Sequence, residues 1–217
     1  MIQLPHNCKA LVFDMDGTMI HNKDYHDAAW IEFCNRHSVT IDLDSFCKAY
    51  TGKTNEVILQ MIFGKKMPKQ QILEYETEKE QIYRDLYSPH FMLVSGLQTV
   101  LEKAKQKNFL IAIGTSAPVV NVDFVLSHGR IRHFFDVIVH SEMVTHGKPS
   151  PEIYLKVAEL LQIQPEQCVC FEDSIAGISS ATSAGMYTIG IATELSIADL
   201  LKAGAYNACY DYNALIL

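Results

Sequence analysis

Residues 10–18 read Ala-Leu-Val-Phe-Asp-Met-Asp-Gly-Thr: four apolar residues run straight into two carboxylates, Asp14 and Asp16, followed by Gly17 and Thr18. An unbroken apolar run suits a strand buried on both faces, as in a parallel sheet covered by helices. The two aspartates then stand at the carboxyl end of that strand, the edge of an open α/β sheet where ligands bind, and Gly17 lets the backbone turn sharply behind them. A bare pair of aspartates two apart is often a solvated turn, but the apolar run before this one and the Gly-Thr after it set it apart.

Working outward, similar short runs recur at 110–114, 136–140, 168–171 and 188–192, with a weaker one at 208–210. Between them lie helical spacings that each gather one apolar stripe, such as Leu97, Val100, Leu101 and Ala104, or Ile153, Val157, Leu160 and Leu161. Strands alternating with helices predict an α/β fold with a mainly parallel sheet flanked by helices. The alternation stops between about Met19 and about His90. There Trp30, Phe33, Cys34 and His37 follow helical spacing, as do Ile58, Met61 and Ile62, and residues 68–87 are long and charged. The reading is a core of residues 1–19 and 91–217 with an all-helical cap, 20–90, inserted after the first strand. Its two linkers should lie side by side as a hinge.

Composition narrows the class. The 217 residues are 48% hydrophobic, 20% charged and hold seven prolines, as in a packed globular protein rather than a disordered chain. A formal charge of -7, with no basic block denser than Lys103, Lys105 and Lys107, argues against nucleic acid or an anionic membrane as partner. The longest apolar run, 109–113, is far short of a membrane span, and no basic-then-apolar leader opens the chain, so a cytoplasmic protein is expected. The six cysteines form no C-x-x-C pair, which disfavours disulfides or a zinc site. No heptad or apolar edge calls for an oligomer, and a monomer is the expectation.

Three further segments place polar groups after strands. Thr115 and Ser116 follow the run ending at Gly114, where a hydroxyl can donate to a phosphate oxygen or simply cap the next helix. Lys148 lies in Gly147-Lys148-Pro149-Ser150-Pro151, a loop stiffened by two prolines, although a loop lysine is usually solvated. Glu172 and Asp173 follow the run at 168–171, with Asp173 or Ser174 equally able to be a helix N-cap. Carboxylates, a hydroxyl and a cation meeting on one sheet edge are hard to ascribe to chance. Gly52-Lys53-Thr54 is no P-loop, since Cys47 stands where the first glycine is required.

The stretches LVFDMDGT, IAIGTSA, HGKPSPEIY and CFEDSIAGISSA together resemble the four ordered motifs of the haloacid dehalogenase-like hydrolase superfamily. The insertion after the first motif and the Gly-Lys-Pro-x-Pro-Glu form are similar to the β-phosphoglucomutase-like phosphatases. The resemblance implies a Rossmann-like core with a helical cap, and a Mg²⁺-dependent phosphatase that hydrolyses a small phosphorylated metabolite through an aspartyl-phosphate. In it Asp14 would be the nucleophile and Asp16 the general acid and base. Asp14, Asp16 through its carbonyl, and Asp173 would hold Mg²⁺, with Glu172 as a fourth ligand or a partner behind them. Thr115, Ser116 and Lys148 would hold the phosphoryl group.

The resemblance also points to His26, near the start of the first cap helix, and to a substrate loop over residues 50–56, with Lys53, Thr54, Asn55 and Glu56. A mutase of this family carries an arginine where Asn55 stands. Loss of that bidentate clamp favours hydrolysis over isomerisation, although Lys53 offers a point charge nearby. Pyrophosphate hydrolysis aided by a further metal at Glu56, and a non-catalytic binding protein, are the other readings; the second should have lost one of Asp14, Asp16, Lys148 or Asp173, and all are present.

Overall fold

Residues 2 and 3 form a short strand, β1 (Ile2–Gln3), and the apolar run behind it forms β2 (Ala10–Phe13), whose four residues are all fully buried. The computed structural model describes residues 1–42, 46 and 54–217. The chain divides into two compact units, residues 1–21 with 92–217, and residues 22–91.

In the first unit β2 is joined by β3 (Leu110–Gly114), β4 (Val137–Val139), β5 (Cys168–Glu172), β6 (Tyr187–Ile191) and β7 (Asn207–Cys209), in the order β4-β3-β2-β5-β6-β7. Every neighbouring pair in this sheet is parallel. β8 (Leu215–Ile216) pairs with β1 in a separate two-stranded ribbon that no apolar pattern announces. The chain works outward from β2 through β3 to β4, then returns to the other side of β2 at β5. That reversal makes the crevice between β2 and β5 the switch point of a doubly wound sheet, and Phe13 stands opposite Phe171 there. The expected strands lie within a residue or two of the observed ones. The informative difference is at β5, which runs one residue further and takes Glu172, at 0% exposure, into the sheet.

Helices α4 (Leu97–Gln106), α5 (Val119–Gly129), α6 (Glu152–Leu161), α7 (Ile175–Ser183) and α8 (Ile197–Lys202) link the strands. Because side chains alternate along β2, Ala10 and Val12 meet Ile153, Tyr154 and Val157 of α6 and Ala181 of α7. Phe13 takes the opposite face, where it stacks on Phe171 with ring centroids 4.8 Å apart and leans on Tyr212 at 5.8 Å. Truncating a phenylalanine so placed typically costs about 3–5 kcal/mol. Leu160, read into the stripe of α6, is 45% exposed, and Tyr154 and Ala158 turn inward instead.

The second unit holds α1 (Lys23–Arg36), α2 (Asn55–Phe63) and α3 (Lys69–Tyr87). Trp30, Phe33 and Cys34 of α1 are buried as their spacing requires. On α2 Ile58 and Leu59 are buried, while Met61 faces solvent. The chain leaves and re-enters the first unit at one place: Ile20 forms an antiparallel bridge with Leu93, and the Val94 amide donates to the Met19 carbonyl at 2.9 Å. No helix among the described residues is long and apolar enough to cross a membrane. Cys8, Cys34, Cys168, Cys170 and Cys209 are free thiols, and Cys47 lies outside the described residues.

Candidate active site

The carboxyl ends of β2 and β5 lie side by side, with the Asp14 amide donating to the Phe171 carbonyl at 3.0 Å. Asp14, Glu172 and Asp173 are each at least nine-tenths buried, and they can bring one oxygen apiece within 4.8 Å of one another. Into this group comes Lys148, its side chain 9% exposed. Its Nζ donates to Asp14 Oδ1 at 2.6 Å and to Glu172 Oε1 at 2.5 Å. The loop lysine is therefore buried and paired. Glu152 holds its loop by accepting from the amides of Thr145 at 2.6 Å and His146 at 2.8 Å, and Ser180 Oγ donates to the Ser150 carbonyl at 2.6 Å.

The acidic turn after β5 resolves the choice of cap. Ser174 is the N-cap of α7, accepting from the Gly177 amide at 3.0 Å, which frees Asp173 for the site. Glu172 Oε2 accepts from the amides of Asp173 at 3.1 Å and Ser174 at 3.4 Å, and from Ser174 Oγ at 3.3 Å. Its Oε1 takes Lys148 and the Tyr154 hydroxyl, the latter at 2.5 Å. Gly177 makes this possible, because a Cβ there would come within 1.9 Å of Glu172 Oε1.

The loop after β2 is fixed from three directions. Thr18 Oγ1 donates to Asp173 Oδ1 at 3.1 Å, Thr193 Oγ1 donates to the Gly17 carbonyl at 2.6 Å, and the Tyr212 hydroxyl donates to the Thr18 carbonyl at 3.1 Å. Gly17 has φ +74°, the left-handed conformation expected of a sharp turn. Asp16, less buried, lies near enough for its charge to act on Asp14. Thr115 is buried at the end of β3, its Oγ1 accepting from the Ala117 amide at 3.1 Å, and Ser116 is exposed.

Three carboxylates around one ammonium leave excess negative charge in a buried place. Burial, more than any neighbour, pushes the Asp14 carboxyl up to about 7; Lys148 opposes the rise, while Glu172 and Asp16 add to it. Asp173 is raised well above the carboxylate range, first by burial and then by Glu172 and Asp14. Lys148 is raised as well, since the two carboxylates it touches outweigh its burial. An all-oxygen cluster with uncompensated charge fits a hard divalent cation.

The remaining expected residues lie in the helical unit. His26 is partly buried, stacked on Tyr83 at 3.8 Å, with Nδ1 2.8 Å from Lys79 Nζ. Burial and the Lys79 charge hold its pKa well below the usual imidazole value. Lys79 also pairs with Glu80 at 2.9 Å, and Asn55 Nδ2 donates to the same Glu80 oxygen at 3.0 Å. Thr54 caps α2, and Glu56 accepts from Gln60 at 3.2 Å. Lys53 lies outside the described residues. The sequence reading missed Lys79 and Glu80, which sit in a run of charges, although Lys79 keeps the helical spacing of Ile72 and Tyr83. It also assigned no role to Tyr154, in the first turn of α6, or to Thr193, just beyond the end of β6.

The family model of the haloacid dehalogenase-like hydrolases matches residues 11–191, which includes every segment of this cluster. The chain belongs to the haloacid dehalogenase-like hydrolases. It is 30% identical to a phosphorylated carbohydrates phosphatase of Thermotoga maritima, over 91% of this chain and 92% of that one. It is 29% identical to the β-phosphoglucomutase of Bacillus subtilis, over 84% and 83%. Among solved structures it resembles a family IA, variant 3 hydrolase of Entamoeba histolytica, with a TM-score of 0.89 and 32% identity over 96% of each chain. This member of the haloacid dehalogenase-like hydrolases is thus an enzyme with phosphatases among its relatives.

Proposed function

We propose that the chain is a Mg²⁺-dependent phosphatase of a small sugar or polyol phosphate, working through an aspartyl-phosphate at Asp14. The observation that carries this reading is the Lys148 ammonium shared between Asp14 and Glu172 at the switch-point edge of the sheet. A cation beside a buried carboxylate lets an anionic phosphate approach an anionic nucleophile.

Asp14 attacks phosphorus, forming one P–O bond as the ester P–O bond breaks. Asp16 gives its proton to the departing sugar oxygen. It then takes one from the water that attacks phosphorus, and the bond to Asp14 breaks with release of inorganic phosphate. Thr115 and Lys148 hold the phosphoryl oxygens, with Ser116 at the rim. Asp14, Asp173 and the Asp16 carbonyl would hold Mg²⁺, with Glu172 beside them anchoring Lys148; the ion supplies positive charge against the phosphoryl oxygens.

The helical unit, read as a cap, would choose the substrate through His26, Lys53, Thr54, Asn55 and Glu56, of which Asn55 and Glu56 stand in the first turn of α2 rather than in the expected loop. Asn55 donates to a carboxylate that already pairs with Lys79, an arrangement suited to hydroxyl groups and unfavourable to a second phosphate. That supports hydrolysis over sugar-phosphate isomerisation, and the carbohydrate phosphatase relative supports the substrate class. The test is phosphate release from a panel of sugar and polyol phosphates, nucleotides and pyrophosphate, with and without Mg²⁺, using Asp14→Asn as the blank. Mg²⁺-dependent release confined to sugar or polyol phosphates and lost in the blank is expected; release that persists in Asp14→Asn refutes the nucleophile.

A further inference from the structure

Tyr154 is fully buried in the first turn of α6, and its two parts do different things. The ring packs into the core beside Ala112 and Val157, in space that Gly114 leaves open: a Cβ on Gly114 would come within 2.9 Å of the ring. The hydroxyl donates to Glu172 Oε1 at 2.5 Å, the same oxygen that accepts from Lys148. The ring face also lies under that ammonium, 4.9 Å from Nζ to the ring centroid. One side chain therefore touches both members of the Lys148–Glu172 pair.

We propose that Tyr154 is a positioning residue that sets how Lys148 is divided between Glu172 and Asp14. A hydroxyl on Glu172 Oε1 takes up part of that oxygen's charge, so the carboxylate draws less strongly on the ammonium. Lys148 then keeps its 2.6 Å contact with Asp14, beside the place where the phosphoryl group arrives. Without the hydroxyl, Glu172 Oε1 keeps Lys148 as its hydrogen-bond donor among the described residues, and the ammonium shifts away from Asp14. The inference rests on the reading of Lys148 as the residue that holds the phosphoryl group.

The test is Tyr154→Phe, which keeps the ring and removes one oxygen. With Mg²⁺ and p-nitrophenyl phosphate, kcat should fall about tenfold, the scale of one charge-assisted hydrogen bond, with KM within about twofold. Calorimetric binding of inorganic phosphate should weaken while the melting temperature stays close to the parent's. In a Glu172→Gln background, Tyr154→Phe should cost little more, because the oxygen it acts on has lost its charge. Parent-like kcat and phosphate affinity would overturn the proposal whatever the melting temperature does. So would a full second loss in the Glu172→Gln background, or a fall in activity that merely follows a shrinking folded fraction. If the parent hydrolyses no ester, the proposed function falls, and phosphate affinity alone decides: weaker binding in Tyr154→Phe supports the positioning role, and equal binding refutes it.

Discussion

Thr18 Oγ1 donates to Asp173 Oδ1 at 3.1 Å, binding the loop after β2 to the turn after β5 across the switch point of the sheet. The bond joins residues 155 apart in sequence, and it holds a loop already fixed by Thr193 and Tyr212. The acidic groups are thus arranged before any substrate arrives, so little reorganisation is left for the reaction.

Asp14→Asn should abolish phosphate release and leave thermal unfolding nearly unchanged. The substitution keeps the shape of the side chain and an oxygen for Lys148 while removing the proposed nucleophile. Assay and melting curve on one preparation check it, and residual turnover with a large loss of stability would count against the role.

Without a cation, stability should fall as pH rises from about 4 to about 7. A carboxyl raised from 3.8 to about 7 keeps in the folded state a proton that the unfolded chain releases, so folding is favoured below that window and loses ground through it. Mg²⁺ needs the deprotonated carboxylates, so its stabilisation should be larger at pH 8 than at pH 5. Melting temperatures with Mg²⁺ and with a chelator across this range measure both effects.

Lys148→Met should lower kcat about 10²–10³-fold, as loss of one preorganised electrostatic contact to the reacting group does. It also leaves Asp14 and Glu172 facing each other without the shared ammonium. The melting temperature should therefore drop more at pH 8 than at pH 5, where protonation relieves the repulsion; an equal drop at both would contradict this.

Gly177→Ala sets two effects against each other. Alanine is the better helix former by about 1 kcal/mol, yet its Cβ would fall 1.9 Å from Glu172 Oε1. Because Glu172 is held by five donors and cannot step aside, the steric term should win, with both stability and activity reduced. A stabilised, active variant would show that Glu172 can move.

Asn55→Ala should change the ranking of substrates and leave the half-saturating Mg²⁺ concentration where it was. The residue bonds Glu80 in the helical unit, and the carboxylates proposed for the ion all belong to the other unit. Kinetics on the two best esters of the panel, at varied Mg²⁺, make the comparison.

Much of this was legible from residue order. Apolar runs marked the six strands of the parallel sheet, since strands buried on both faces leave little room for polar residues. The residues directly after those runs included Asp14, Thr115 and Glu172, with Asp173 next in line. What stayed hidden depends on contacts between distant segments. Lys148 could be told from a solvated lysine only once Glu172 and Asp14 were seen on either side of it. Tyr154 reads as an ordinary core residue because its ring is one, and only the position of β5 reveals what its hydroxyl does. Lys79 looked like part of a solvated face because its neighbours on α3 are charged, although its spacing from Ile72 and Tyr83 is that of the buried stripe.

The bridge between Ile20 and Leu93 has a further consequence. Strands paired in this way lie about 5 Å apart, a gap that a short turn can close. The sheet's strand order and register would survive if everything between those residues were exchanged for another insert, because no strand of the sheet is drawn from the described residues of that stretch. Under the proposed reading of that insert as a cap, the gene for such a chain can vary its choice of substrate as a cassette, while Asp14, Lys148 and Asp173 on the sheet edge stay fixed.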